Sequence, residues 1–212
     1  GTKGGGLNKL DRRTGKFTRY MHDSETHQSI HSNKISALFE ARAGTLWIGT
    51  WGEGLIKFDQ GKEKFIQYLN NIDKANIGIN VIRTIFEDRT GILWIGTQEG
   101  GLYKFNRATE QFFPVGFRTQ IMQIYEDHLG VLWIAASSGL KKLDRTTEEY
   151  TTYLYNPADP NSISSNKVIS IHEDMKGRLW FGTIGGGLNK FDRVSGKFKG
   201  YTVKDGLAND VI

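Results

Sequence analysis

Short apolar runs punctuated by turn residues organise the whole chain, and residues 167–203 show the pattern most fully. Lys167-Val168-Ile169-Ser170-Ile171-His172 reads as a first strand, followed by Glu173-Asp174-Met175-Lys176-Gly177 as a turn. Leu179-Trp180-Phe181-Gly182-Thr183 is a second strand and Gly187-Leu188-Asn189-Lys190-Phe191-Asp192 a third. Asp192-Arg193-Val194-Ser195-Gly196 then turns the chain into a fourth at Lys197–Tyr201. Asp with Gly a few residues on suits a short hairpin, because Asp accepts turn amides and Gly takes positive φ. The first strand opens on Ile35, Ile82, Ile121 or Val168 and carries Leu38, Ile85, Ile124 or Ile171 at its fourth position. Residues three apart in a regular strand lie on opposite faces. The pattern therefore predicts sheets that are apolar, and covered, on both faces.

The second strand recurs as Leu46-Trp47-Ile48-Gly49-Thr50, Leu93-Trp94-Ile95-Gly96-Thr97 and Leu132-Trp133-Ile134-Ala135-Ala136, with Trp at 47, 94, 133 and 180. Gly1 through Arg12 match Gly182 through Arg193 as a broken further copy. Self-similarity at a period of roughly 40–50 residues marks a repeat architecture. Four antiparallel strands per repeat predict an all-β fold of β-propeller blades, about four and a half to five of them. The repeats fall at approximately 1–20 (partial), 35–69, 81–116, 120–155 and 167–203, with a stub at 209–212, all in one propeller segment over residues 1–212. Trp47, Trp94, Trp133 and Trp180 are expected to pack blade on blade. A five-blade ring would lack the counterparts of residues 170–181. This leads to the expectation of an arc, cut from a larger propeller, that self-associates through exposed strand edges.

Composition narrows the chemistry. The chain has 26 Gly, 3 Pro and no Cys, so disulfides, thiolate metal sites and Cys nucleophiles are excluded. The net charge is +5, but Lys and Arg are scattered without a basic stripe, and a nucleic-acid partner is not expected. No apolar run approaches the roughly 18 residues of a membrane span, so a membrane is reached only through parts of a parent protein. The histidines show no metal-ligand spacing: His22, His27 and His31 share one loop, and His172 replaces Phe39, Phe86 or Tyr125 as a core residue. The Asn column of Asn33, Asn80, Asn166 and Asn209 is expected to cap turns. No cofactor is expected.

The string Asp159-Pro160-Asn161-Ser162-Ile163-Ser164-Ser165-Asn166, continuing through Glu173-Asp174, Leu179-Trp180-Phe181-Gly182-Thr183 and Gly185-Gly186-Gly187-Leu188-Asn189, resembles the two-component regulator propeller repeat. The resemblance covers essentially the whole chain. It implies the periplasmic sensor part of a membrane-spanning hybrid histidine kinase or related regulator, of the kind found chiefly in Bacteroidetes. Such sensors are linked to recognition of complex-polysaccharide breakdown products. Relatives usually carry two seven-bladed propellers, an immunoglobulin-like domain and a transmembrane helix.

A ligand site is expected where the repeats differ. The 1–2 and 3–4 hairpins are nearly uniform, whereas the 2–3 turns and inter-blade loops vary. Gly-rich turns such as Gly185-Gly186-Gly187 join strands rather than open a helix, so they are not phosphate loops. Trp51 lies outside the packing column, in Trp51-Gly52-Glu53-Gly54, with Glu53, Gln98 and Glu99 as polar neighbours. It either covers the adjoining blade or offers an aromatic face to a sugar or peptide. Arg83 stands where other copies have Ser36, Met122 and Ile169; it either binds an anion in the channel or pairs with a neighbouring blade. The shortened loop 113–119, with Arg118, is expected to leave a notch beside Gln98 and Glu99. Trp51, Glu53, Arg83, Gln98, Glu99 and Arg118 are thus the candidate ligand residues. The expected function is non-catalytic sensing of an oligosaccharide. A protein-binding scaffold and, on the carboxylates Glu53 and Glu99, a lyase or glycosidase are the alternatives.

Overall fold

A computed structural model of the chain describes residues 1–26, 29–68, 80–145 and 147–212. His27 and Leu69, the latter expected to end a fourth strand, lie outside them. The chain divides into two compact units, residues 1–118 and 119–212.

The first unit opens with a two-stranded hairpin, β1 (Leu7–Leu10) and β2 (Phe17–Tyr20). Two four-stranded antiparallel sheets follow in chain order. One is β3 (Ile35–Glu40), β4 (Leu46–Thr50), β5 (Leu55–Asp59) and β6 (Lys64–Tyr68); the next is β7 (Ile82–Glu87), β8 (Leu93–Thr97), β9 (Leu102–Asn106) and β10 (Gln111–Val115). The second unit contains β11 (Ile121–Glu126), β12 (Leu132–Ala136), β13 (Gly139–Leu143) and β14 (Tyr150–Tyr153). Its other sheet is β15 (Val168–Glu173), β16 (Leu179–Thr183), β17 (Gly187–Phe191) and β18 (Phe198–Tyr201). Each four-stranded meander is a propeller blade. Pro114 sits on the edge strand β10, where no ladder donor is needed.

The second strand is the centre of each blade. Ile48, Ile95, Ile134 and Phe181 are fully buried, as are the Leu residues that begin β8, β12 and β16. The Thr that ends this strand closes the 2–3 turn: Thr50, Thr97 and Thr183 Oγ1 donate to Gly54, Gly101 and Gly187 O at 2.8, 3.0 and 2.8 Å. Glycine is required at the end of that turn. Gly187 has φ +69°, and a Cβ there would stand 2.1 Å from Tyr201 O.

The 1–2 turn does more than turn the chain. Asp88, Asp127 and Asp174 each accept turn amides through Oδ1, as from Ile92 N at 3.1 Å, Val131 N at 2.8 Å and Arg178 N at 3.0 Å. Through Oδ2 each also accepts the indole N–H of its blade's Trp: Trp94 at 2.8 Å, Trp133 at 2.9 Å and Trp180 at 3.0 Å. In the β3–β6 blade this Asp is Ala41, and the buried Trp47 Nε1 makes no hydrogen bond.

Trp47 packs on Phe105 of the following blade at 5.4 Å, and Trp133 on Phe181 and Phe191 at 5.4 and 5.2 Å. Trp94 is buried too. Trp180 departs from the expected packing: it is half-buried, rests on Tyr201 at 5.8 Å, and carries Arg178 and Lys190 over its ring. No later sheet in its unit covers that face. His172, its cross-strand neighbour, is exposed for the same reason and is not a core residue.

The first strand corrects the face argument. In every blade its register shifts after the first residue, between Ile35 and Ala37, Ile82 and Thr84, Ile121 and Gln123, and Val168 and Ser170. A bulge adds one unpaired residue and inverts the alternation. Ile82 pairs Thr97 while Ile85 pairs Ile95, so positions one and four share a face. That face packs into the core shared with Trp47 and Leu55 of the preceding blade. Leu38 is 45% exposed rather than buried, because the two-stranded β1–β2 hairpin supplies no inner strands to cover it.

Candidate functional site

Repeat logic separates the two ends of each blade. At the end bearing the 1–2 and 3–4 turns, the acidic pair and the Arg after the third strand join into one cluster. In the second unit Arg193 donates to Asp127 Oδ2 of the preceding blade at 2.6 Å and to Glu173 Oε1 of its own blade at 2.7 Å. Glu173 also accepts His128 N at 2.9 Å, and its Oε1 lies 2.5 Å from His128 Nδ1. Burial alone would raise the carboxyl of Asp127, but Arg193, the Trp133 indole and the Val131 amide more than offset it and hold it below its ordinary range. Glu173 is likewise held low against its burial by His128 and Arg193. In the first unit Arg107 donates to Glu87 at 2.9 Å and Glu87 accepts Arg42 N at 2.8 Å, with Ala41 in the place of Asp127. The acidic pair is therefore an inter-blade clamp as well as a turn. Sequence reasoning passed over the Arg positions, which recur after the third strand as Arg12, Arg107, Arg145 and Arg193.

The opposite end carries the candidate ligand residues. Loop and turn are laced there by the backbone before each first strand. Trp51 N donates to Lys34 O at 3.1 Å, and Gly52 N and Gly54 N donate to Asn80 O at 3.2 and 3.0 Å. The Asn side chains close loops, Asn33 Oδ1 accepting His22 N at 2.8 Å and Asn166 Oδ1 accepting Tyr155 N at 2.7 Å. On this frame Trp51 is 39% exposed. Arg83 is the extra residue of the β7 bulge, a position that re-aims a side chain. Its guanidinium stands over the Trp51 ring, 5.5 Å from the centroid. Arg83 belongs to the next blade, so the partly exposed Trp51 ring meets its neighbour through that guanidinium.

Glu53 is exposed on the same turn, and Gln67 Nε2 donates to its backbone O at 2.9 Å and its Oε2 at 3.3 Å. Gln98 and Glu99 occupy the corresponding turn of the next blade, Gln98 N donating to Val81 O at 2.9 Å. Arg118 is exposed at the end of the unit. Trp51 and Arg83 are thus in contact, Glu53 is one residue removed on the same turn, and Gln98, Glu99 and Arg118 extend the polar surface of the unit. Among the described residues no group of three or more His, Asp or Glu side chains is arranged to hold a metal ion. No helix among them is long and apolar enough to cross a membrane.

The two-component regulator propeller model matches residues 29–52, 76–99 and 162–185. No curated protein matches the chain. Among solved structures, the chain is similar to the extracellular domain of a hybrid two-component system from B. thetaiotaomicron, with 25% identity and a TM-score of 0.79 over 99% of this chain and 28% of that one. A second extracellular domain from the same organism, described as belonging to a one-component system, gives 19% identity and a TM-score of 0.73 over 93% and 25% of the two chains. Virginiamycin B lyase from Staphylococcus aureus shares the fold at 15% identity and a TM-score of 0.65, over 92% and 61% of the two chains. The chain thus spans about a quarter of the length of the two extracellular domains.

Proposed function

We propose that this chain, which carries the two-component regulator propeller repeat, is a non-catalytic ligand-sensing part of a periplasmic sensor, and that its ligand is an oligosaccharide. The observation that carries the reading is the half-open Trp51 ring with Arg83 over it. This pair is built where the repeats diverge and is flanked by Glu53 and Gln67. An aromatic face supplies apolar contact to a sugar ring, while a guanidinium, a carboxylate and an amide supply directed hydrogen bonds to its hydroxyl or acidic groups. Signal output belongs to a parent histidine kinase. Likeness to the lyase extends to fold alone, and fold does not carry chemistry. Calorimetry against glycosaminoglycan, pectin and glucan oligosaccharides tests the reading. One class is expected to bind the native protein and to lose at least ten-fold in affinity with Trp51→Ala; equal affinity in the variant sinks the site.

A second reading, self-association, draws on the exposed apolar side chains Leu10, Phe17 and Leu38 of the first unit, 47%, 68% and 45% accessible. Light scattering decides it: a concentration-independent mass near 23.9 kDa counts against association.

A further inference from the structure

The residue four positions before the first strand differs in kind between the β15–β18 blade and the β3–β6 blade. In the second unit it is Ser164, held entirely by scaffold. Its Oγ donates to Gly186 O at 2.6 Å, its N donates to Asn189 Oδ1 at 2.9 Å, and Asn189 Nδ2 donates back to its Oγ at 2.7 Å. In the first unit the three counterparts are His31 for Ser164, Glu53 for Gly186 and Ile56 for Asn189. The network cannot form: Ile56 is fully buried and apolar, and the buried His31 Nδ1 makes no hydrogen bond. One position exchanges an inward-bonded hydroxyl for an imidazole, and its former carbonyl partner acquires a carboxylate. Glu53 lies on the turn that carries Trp51, and His31 on the loop that leads into β3 of the same blade. Local rules are broken without structural compensation, which is where function is expected.

Resting on the reading of the Trp51 rim as a binding site, we propose that His31 is a further recognition residue of that rim. Paired with Glu53, it sets the pH range over which the rim binds. The titratable groups acting on His31 are Glu53 across the turn and His22 on its own loop. It also lines a cavity of about 110 Å³ with His22, Asp23, Ser24, Thr26 and Ser29. Burial first, then His22, lower its proton affinity, while Glu53 pulls in the opposite direction. At neutral pH the imidazole is uncharged, and Glu53 offers ligand hydroxyls the oxygen that Gln67 does not engage. On acidification the imidazolium pairs with Glu53 and withdraws that acceptor, so affinity falls as pH drops through the His31 midpoint.

The test has two arms. NMR titration of the His31 ring, which needs no ligand, is expected to give a midpoint below the ordinary value of about 6.5. Glu53→Gln moves that midpoint lower and His22→Gln moves it higher. A midpoint indifferent to Glu53→Gln overturns the pair, whatever the binding data show. In the second arm the oligosaccharide found by calorimetry is titrated at pH 5 and pH 7.5. Native protein is expected to bind several-fold more weakly at the lower pH, and His31→Ser, the residue of the equivalent position, to fold and bind without that dependence. A native affinity that is flat with pH overturns the role of His31 but leaves the rim standing. The rim itself falls only if Trp51→Ala binds as the native protein does.

Discussion

The seam between β3–β6 and β7–β10 and the seam between β11–β14 and β15–β18 are built from the same repeat, yet they solve the same problem differently. In the second, Asp127 joins the turn, the Trp133 indole and Arg193, and the far end is closed by Ser164 and Asn189. In the first, Ala41 leaves Trp47 Nε1 without a partner, Arg107 lies over the Trp47 ring at 5.9 Å, and the far end presents Trp51, Glu53 and Arg83. One seam is finished as scaffold. The other gives up a scaffold bond at one end and gathers ionisable and aromatic groups at the other. Divergence from the repeat, rather than the repeat, marks the surface proposed to bind ligand.

The comparison can be broken most severely at Asp127. Asp127→Ala removes two turn bonds and the buried Trp133 bond, and leaves the partly buried Arg193 short of one partner. A loss of about 3 kcal/mol is expected in denaturant unfolding. The reciprocal change, Ala41→Asp, places a carboxylate beside Trp47 and within the neighbourhood of Arg107. A gain of about 1 kcal/mol is expected, and a loss would show that the Trp47 seam is not deficient in the way described.

Acid distinguishes the seams by charge. Asp127, Glu173 and Glu87 are held low in the folded state. Their contribution is therefore present above the unfolded-state values of about 4 and is lost as pH falls through the lower folded values. Stability should decline below about pH 4, and more steeply in native protein than in Asp127→Ala, as read by urea midpoints at pH 7, 4 and 2.5. The smallest effect concerns the 3–4 turns. Gly15 and Gly196 take positive φ where Glu63, Glu110 and Glu148 take it at 48°, 55° and 59°. Glu63→Gly is expected to raise stability by up to about 1 kcal/mol by relieving that backbone conformation.

Much of this was legible in the sequence because repeats supply their own comparison. Four copies of the Leu-Trp segment placed the central strands, and the Asp and Gly spacings placed the turns. The bulge was not legible: its extra residue shows only when the partner strand is paired, and it inverts the faces inferred from Ile82 and Ile85. Leu38 and His172 look like core residues by column and are exposed because their neighbouring sheets are short or missing within the unit. Trp51 and Arg83 were singled out as exceptions, but their contact was not, since it depends on where the bulge aims Arg83. His31 escaped notice because its loop was read for metal spacing. Set against Ser164, with Glu53 against Gly186, the exchange was visible in the letters.

The open rim of the first unit is the proposed ligand site. Its most direct test is to give that rim the residues of the second unit, Trp51→Ile, Glu53→Gly and Arg83→Ile together, and to repeat the oligosaccharide calorimetry. A folded variant that no longer binds the ligand of the native protein is the predicted result. A folded variant that binds it with native affinity would contradict the account.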